Sequence, residues 1–330
     1  MEKQLQSNAA ITAIGTYSPD KVLSNADLEQ IVDTSDEWIV QRTGIRERRI
    51  AAADQFTSDL CIRAVQNMQE RYGVHVGDVD FIIVATSTPD NVIPSVAAQV
   101  QAGLGIKQCG AIDIQAACAG FTSAIQLANG LLLSGFYRKI LVIGGETLSK
   151  VTNYEDRTTC ILFGDGAGAI LMEARDGKGD ILAVSSQTDG TGGHHVYRSG
   201  LSPAINATDI DTTSRIVQNG REVYKWALSH VSQGITGLLQ DSGYAPSQIN
   251  WFVPHNANQR IIDALCERTG INEQQALSSI EHYGNTSAAS IPLALDAAVR
   301  EGRVLPGHLL LLYGFGGGLT QSGVLLRWSI

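Results

Sequence analysis

Along the chain, short unbroken apolar runs alternate with longer segments in which apolar residues recur at helical spacing. IIVAT (82–86), AIDI (111–114) and ILVIGG (140–145) are runs of the first kind. They lack the polar–apolar alternation of a half-exposed strand, so they predict strands buried on both faces, as in a parallel sheet. The stretch 121–133 predicts an apolar helix, and a second helical pattern opens near Asn258.

The pattern also repeats. DFIIVAT (80–86) lies on NWFVPHN (250–256) and KILVIGG (139–145) on LLLLYGF (309–315), both at an offset of 170. AIDIQAACAGFTSAIQLANG (111–130) can be laid on SSIEHYGNTSAASIPLALDA (278–297) at 167, which places Cys118 on Asn285. Each half closes with a glycine-rich segment and an apolar strand, FGDGAGAILM (163–172) and FGGGLTQSGVLLRW (315–328). A period this long is not a solenoid repeat. The reading is a duplicated α/β protein, with halves 1–175 and 176–330 packed about a pseudo-two-fold axis. Junction residues of the two halves should then meet near the centre, at the carboxyl ends of the strands.

Composition narrows the class. With 330 residues, 44% hydrophobic and 17% charged, the chain suits a large soluble α/β core. No apolar run reaches membrane-span length, and MEKQLQSNAAITAIG (1–15) lacks the pattern of a secretory leader, so a cytoplasmic protein is expected. A net charge of −9 argues against nucleic acid or an anionic membrane as partner. The basic stretch RTGIRERRI (42–50) reads either as a solvated turn or as a local patch. Five widely spaced cysteines without a CxxC pair argue against disulfides or a zinc site. Cys61, Cys109, Cys160 and Cys266 read as small buried hydrophobes.

Cys118 differs. It sits between a strand and a helix, surrounded only by Ala116, Ala117, Ala119 and Gly120. A helix N-terminus offers free N–H groups and partial positive charge, which should lower the thiol's pKa, and small neighbours leave room for an acyl group. His255 follows a strand end, and Asn285 precedes a helical pattern, where it could be a cap or a neutral donor. His282, His194 and His195 lack metal-like spacing and read as loop residues. GDGAG (164–168) leads into a strand rather than a helix, so it reads as a tight crossing and not a dinucleotide site. GFGGG (314–318) could complete an oxyanion hole opposite Cys118.

DTSDEWIVQRTGIRERRIA (33–51), AACAGF (116–121), DRTTCILFGDGAGA (156–169), VPHNANQRII (253–262), HYGNTSAASIPLALD (282–296) and GFGGGLT (314–320) resemble the β-ketoacyl-[acyl carrier protein] synthase III family, the initiating condensing enzymes of bacterial type II fatty acid synthesis. The resemblance runs from about Ile11 to the C-terminus. It implies a thiolase-like fold with five αβαβα layers, a homodimer, and no cofactor or metal. It also implies a starter acyl-CoA and malonyl-[acyl carrier protein] as substrates. Cys118 would carry the acyl group, with the N–H groups of Cys118 and Gly317 as oxyanion hole. His255 and Asn285 would assist decarboxylation, and Phe315 would stand beside the cysteine. Thr34, Trp38, Arg42, Arg157, Gly220 and Asn258 would bind CoA. Arg221, Lys225 and the segment Asn256, Ala257, Asn258, Gln259 and Arg260 would receive the acidic carrier protein.

The sequence departs from the family in the 187–219 stretch and at Tyr224 and Ile93, where some members carry phenylalanine. In that fold residue 93 reaches across the dimer to end the acyl pocket, so a smaller Ile93 implies a preference for branched short starters. Three other readings stay open: a related acyltransferase of secondary metabolism, a Cys-His-Asn hydrolase, and a catalytically silent scaffold.

Overall fold

A computed structural model describes residues 6–330; the first five residues of the 1–15 leader reading and of the 1–175 half lie outside it. The first mixed sheet comprises β1 (Ala9–Tyr17), β2 (Phe81–Ala85), β3 (Gly110–Ile114), β4 (Lys139–Thr147) and β5 (Asp165–Ala174), in the order β1-β5-β4-β2-β3. Helices α1 (Asp36–Thr43), α2 (Thr57–Tyr72), α3 (Val96–Gly103) and α4 (Gly120–Leu133) belong to the same stretch of chain. The chain then changes sheets. β6 (Ile181–Thr188), β7 (Trp251–Pro254), β8 (Leu309–Gly316) and β9 (Thr320–Arg327) form a second sheet ordered β7-β8-β9-β6. Its helices are α5 (Gly220–Trp226), α6 (Ser232–Ser242), α7 (Gln259–Thr269) and α8 (Ser290–Arg300).

The unbroken apolar runs have the cause expected of them. In β2, Ile83 and Ala85 face α4 and α8, while Ile82 and Val84 face α2 and α3. In β8, Leu310 and Leu312 share the core of α4 and α8, and Leu311 and Tyr313 face α6 and α7. Successive strand residues point to opposite faces, so a strand covered on both sides needs apolar residues at every position. The result is five layers: α2/α3, first sheet, α4/α8, second sheet, α6/α7. The sheets are mixed rather than wholly parallel. β2 runs parallel to β3 and β4, and β7 to β8, whereas β1, β5, β6 and β9 pair antiparallel with their neighbours.

The duplication is real in three dimensions, but the register across the active centre is not the one read from sequence. A 3-10 turn, Ala117–Ala119, precedes α4, and its counterpart Ser287–Ala289 precedes α8. Ala117 and Ser287 share an unusual left-handed backbone, with φ of 44° and 48°. The offset is therefore 170 here too, and Cys118 corresponds to Ala288 rather than Asn285. The three-residue slip arose from matching small residues, because nothing in Ala or Ser announces a positive φ.

Other readings need correction. Arg48 is not a solvated turn residue: it is fully buried in the strand Glu47–Arg49. Its guanidinium donates to the carbonyl of Ile161 and to Asn25 Oδ1. GDGAG is no crossing, since β5 begins at Asp165 and Gly166 and Gly168 lie inside the strand. A Cβ on Gly168 would fall 2.5 Å from Pro292 Cβ, so the glycine is what admits α8. His282 lies within the short helix Ile280–Tyr283, and His194 and His195 end a 3-10 segment, Gly190–His195. Among the described residues no cluster of His, Cys, Asp and Glu could hold a metal, and no helix is long and apolar enough to cross a membrane.

Candidate active site

Cys118 stands at the centre of the 3-10 turn, one step before α4. The small residues around it answer two demands. Ala116 and Ala117 line a cavity of about 900 Å³ that contains Cys118, Asn285, Ser287 and Gly317. Ala119 and Gly120 instead let neighbouring segments approach, β2 of the same half at Gly120 and β8 of the second half at Ala119. A Cβ on Gly120 would lie 2.9 Å from Ala85 Cβ, and one on Gly314 would lie 2.7 Å from Ala119 Cα. On Gly316 it would stand 2.9 Å from Cys118 Cβ and 3.0 Å from Sγ. Gly316→Ala should therefore displace the nucleophile's turn or the hairpin. We expect acyl-enzyme formation to be lost and the protein to lose about 1–3 kcal/mol of stability, the usual cost of overpacking. Intact mass and thermal denaturation would check both.

The thiol is not acidified as its position before a helix led us to expect. Burial, reinforced by the nearby Glu146 carboxylate, pushes its pKa up to about 12, while a hydrogen bond from Ser287 works in the opposite direction. The loss of water around a thiolate outweighs the fields favouring it. The environment of Cys118 therefore favours the thiol over the thiolate. The other cysteines are free and lie in the core or partly buried, with Cys109 the partly buried one.

His255 follows β7, and its N–H donates to the Tyr313 carbonyl at 2.8 Å. Its ring meets Phe315 edge-on, with centroids 5.3 Å apart. Ser290, which sequence reading missed, orients the ring: its Oγ lies 2.8 Å from Nδ1 and 2.8 Å from the Ser287 carbonyl oxygen. That carbonyl can only accept, so Ser290 donates to it and accepts a hydrogen bond from Nδ1–H. Turning the hydroxyl toward Nδ1 instead places the ring proton on Nε2. Burial without a counter-charge lowers the His255 pKa to about 3, so the ring is neutral at physiological pH. Asn285 accepts the Ser287 N–H through Oδ1 at 2.9 Å, which leaves its Nδ2 as the free donor facing the cavity.

The structure thus brings Cys118, Asn285 and Gly317 to one cavity, with His255 and Phe315 buried beside them. Ile93 is not part of that cavity in its own chain; it is 86% exposed on the surface. The divergent 187–219 stretch contributes much of the wall, including Thr188, Val196, Tyr197, Arg198 and Ile216.

On the adjacent surface the Arg157 guanidinium sits 4.6 Å from the Trp38 ring centroid and 3.5 Å from Asp33. Arg42 approaches the same ring at 5.8 Å. Thr34 Oγ1 is buried with no protein partner. Asn258 caps α7 and donates through Nδ2 to the Arg42 carbonyl at 3.0 Å. Gly220 opens α5, a helix whose Arg221 and Lys225 are exposed, and Arg260 lies 5.9 Å from the Tyr224 ring. Ala257, Asn258 and Gln259 are half-buried and Arg260 exposed. Asn256 corrects the sequence reading: fully buried, it donates to the Pro254 carbonyl and accepts from the Ser279 backbone, so it holds the loop and cannot face a carrier protein.

Comparison with known proteins agrees with this architecture. The family models for the 3-oxoacyl-[acyl-carrier-protein] synthase III domain and its C-terminal part match residues 112–190 and 239–328. β-Ketoacyl-[acyl-carrier-protein] synthase III 2 of Bacillus subtilis is 55% identical over 98% of this chain and 100% of its own. The protein of the same name from Halalkalibacterium halodurans is 54% identical over 98% of each. The synthase III structure from Thermus thermophilus superposes with a TM-score of 0.93 at 43% identity, covering 97% of this chain and 99% of that one. A priming β-ketosynthase of the R1128 polyketide pathway superposes at 0.90 with 34% identity, over 100% and 99%. With relatives this similar along the whole chain, and with a five-layer core that joins a cysteine turn to a histidine and an asparagine, the chain belongs to the 3-oxoacyl-[acyl-carrier-protein] synthase III family.

Proposed function

We propose that the protein condenses a starter acyl-CoA with malonyl-[acyl carrier protein], giving 3-ketoacyl-[acyl carrier protein], CoA and carbon dioxide, and so begins fatty acid synthesis. The observation that carries this reading is the convergence of Cys118, Asn285 and Gly317, from both halves of the chain, on one cavity of about 900 Å³. Cys118 attacks the thioester, and the N–H groups of Cys118 and Gly317 receive the oxyanion. CoA leaves and malonyl-carrier protein enters. His255 and Asn285 donate to its thioester carbonyl as carbon dioxide departs. Asn285 presents Nδ2 for this, and His255 does so once the Ser290 hydroxyl has turned to Nδ1. Neutral donors suit an oxygen on which charge develops only in the transition state. The test is product analysis: acyl-CoA and malonyl-carrier protein should yield 3-ketoacyl-carrier protein, and release of free acid without malonyl-carrier protein would favour hydrolysis.

CoA binds across Thr34, Trp38, Arg42, Arg157, Gly220 and Asn258 in this reading. Adenine would enter between Trp38 and Arg157, replacing their present cation–π contact by stacking on both planes. Arg221, Lys225 and Arg260 offer the acidic carrier protein its basic surface on an otherwise negative molecule. The two halves, 1–175 and 176–330, act as one body around the site, and the protein works in the cytoplasm. The free edge of β3, with Ile112 exposed on the strand and Val92 and Ile93 exposed beside it, supports a homodimer. The partner's copy of residue 93 would close the acyl pocket. Isoleucine there leaves more room than phenylalanine, and each extra methylene buried contributes about 0.8 kcal/mol. Wild-type enzyme should therefore show a higher kcat/KM for isobutyryl- and 2-methylbutyryl-CoA than for acetyl-CoA, and Ile93→Phe should reverse the order. Wild-type preference for acetyl-CoA, or an unchanged ranking in the variant, would contradict this.

A further inference from the structure

Glu146, at the end of β4, is fully buried, and among the described residues it forms no ion pair with Lys, Arg or His. Its carboxyl instead accepts from the Ser87 N–H at 3.1 Å and from the hydroxyls of Thr88 and Thr86 at 2.6 and 3.3 Å. Ser287 lines the same cavity as Cys118, and its hydroxyl favours the charged form of both this carboxyl and the Cys118 thiol. The titratable groups facing Glu146 are the thiols of Cys118 and Cys61. Hydroxyl neighbours suit a carboxyl that changes its charge, because a hydroxyl can turn from donor to acceptor when the carboxyl gains a proton.

We propose that Glu146, acting through the Ser287 hydroxyl, takes the proton of Cys118 during acylation and returns it after condensation. In acylation the S–H bond breaks and the bond from Sγ to the acyl carbon forms. The thiol proton passes to Ser287 Oγ, and the hydroxyl's own proton passes to Glu146. CoA leaves as a thiolate and is protonated by solvent. In condensation the enolate carbon left by carbon dioxide attacks the acyl carbon, the bond to Sγ breaks, and the thiolate recovers its proton along the same path. One solvent proton is consumed per turnover, matching the carboxylate lost as neutral carbon dioxide.

The competing acceptor is His255, but its pKa of about 3 makes it a poor holder of a proton at neutral pH. Burial raises the pKa of Glu146 to about 7, where a carboxyl can both accept and release one. Glu146 is a positioning residue in the sense that it reaches the reacting sulfur only through Ser287. The proposal rests on Cys118 being the acyl carrier.

The test is single-turnover acylation, followed by intact mass and peptide mapping as a function of pH. In the wild type the rate should rise through pH about 7 as Glu146 ionises. Glu146→Gln should abolish that rise and slow acylation by about 10²-fold. Ser287→Ala should do the same, and Ala117, which holds the equivalent backbone conformation, shows that alanine is tolerated there. If Glu146→Gln fails to fold, Ser287→Ala decides alone. Wild-type pH profiles and rates in the folded variants would overturn the relay. Wild-type enzyme that carries no acyl group on Cys118 would overturn the assignment beneath it.

Discussion

Cys118→Ala should remove acyl transfer altogether and leave the protein folded. The sulfur is the only atom lost, the backbone at this turn is already tolerated by alanine one residue earlier, and the cavity wall beside it is lined by Ala116 and Ala117. No other cysteine can substitute. Cys61, Cys160 and Cys266 are buried in the packed core, and the partly buried Cys109 is not a cavity residue. Intact mass after incubation with acyl-CoA should show one acyl adduct on the wild type and none on the variant, with matching thermal melts. An adduct that persists in the variant would move the nucleophile elsewhere.

The second large effect separates the two halves of the reaction. His255→Ala and Asn285→Ala should leave formation of the acyl-enzyme much less affected than condensation. Their proposed work begins only when charge appears on the malonyl thioester oxygen. Loss of one such donor typically costs about 3–4 kcal/mol, or roughly two to three orders of magnitude in rate. Release of labelled carbon dioxide from malonyl-carrier protein measures that step directly. Normal decarboxylation in either variant would remove that residue from the mechanism. Asn285 also holds the Ser287 N–H, so its variant should be compared at equal folded fraction.

Much of the architecture was legible because it rests on periodicity. Strands covered on both faces must be apolar throughout, and β2, β4 and β8 announce themselves that way. The duplication was visible for the same reason. The centre of the site was harder to read. The left-handed turns at Ala117 and Ser287 depend on packing between halves, and neither side chain signals them, so the register slipped there by three residues. Arg48 and Asn256 look like surface residues, but contacts with Ile161, Asn25, Pro254 and Ser279 make them interior ones. Ser290 and Glu146 carry no local signature. A serine two residues before a proline and a glutamate after two glycines acquire meaning only when the fold brings His255 and Ser287 beside them. The acidity expected of Cys118 failed for a related reason. The favourable field of a helix start can be guessed from sequence, whereas the burial that outweighs it cannot.

The central claim is that one acyl group passes through Cys118 into a carbon–carbon bond, and a pulse-chase measures this most directly. Enzyme is loaded with isotopically labelled isobutyryl-CoA, freed of excess CoA ester, and chased with malonyl-carrier protein. Mass spectrometry follows the Cys118 peptide and the carrier protein together. The account predicts that label leaves Cys118 at the rate at which labelled 3-ketoacyl-carrier protein appears, one for one. Label lost from Cys118 as free acid, or product formed while Cys118 stays unlabelled, would contradict it.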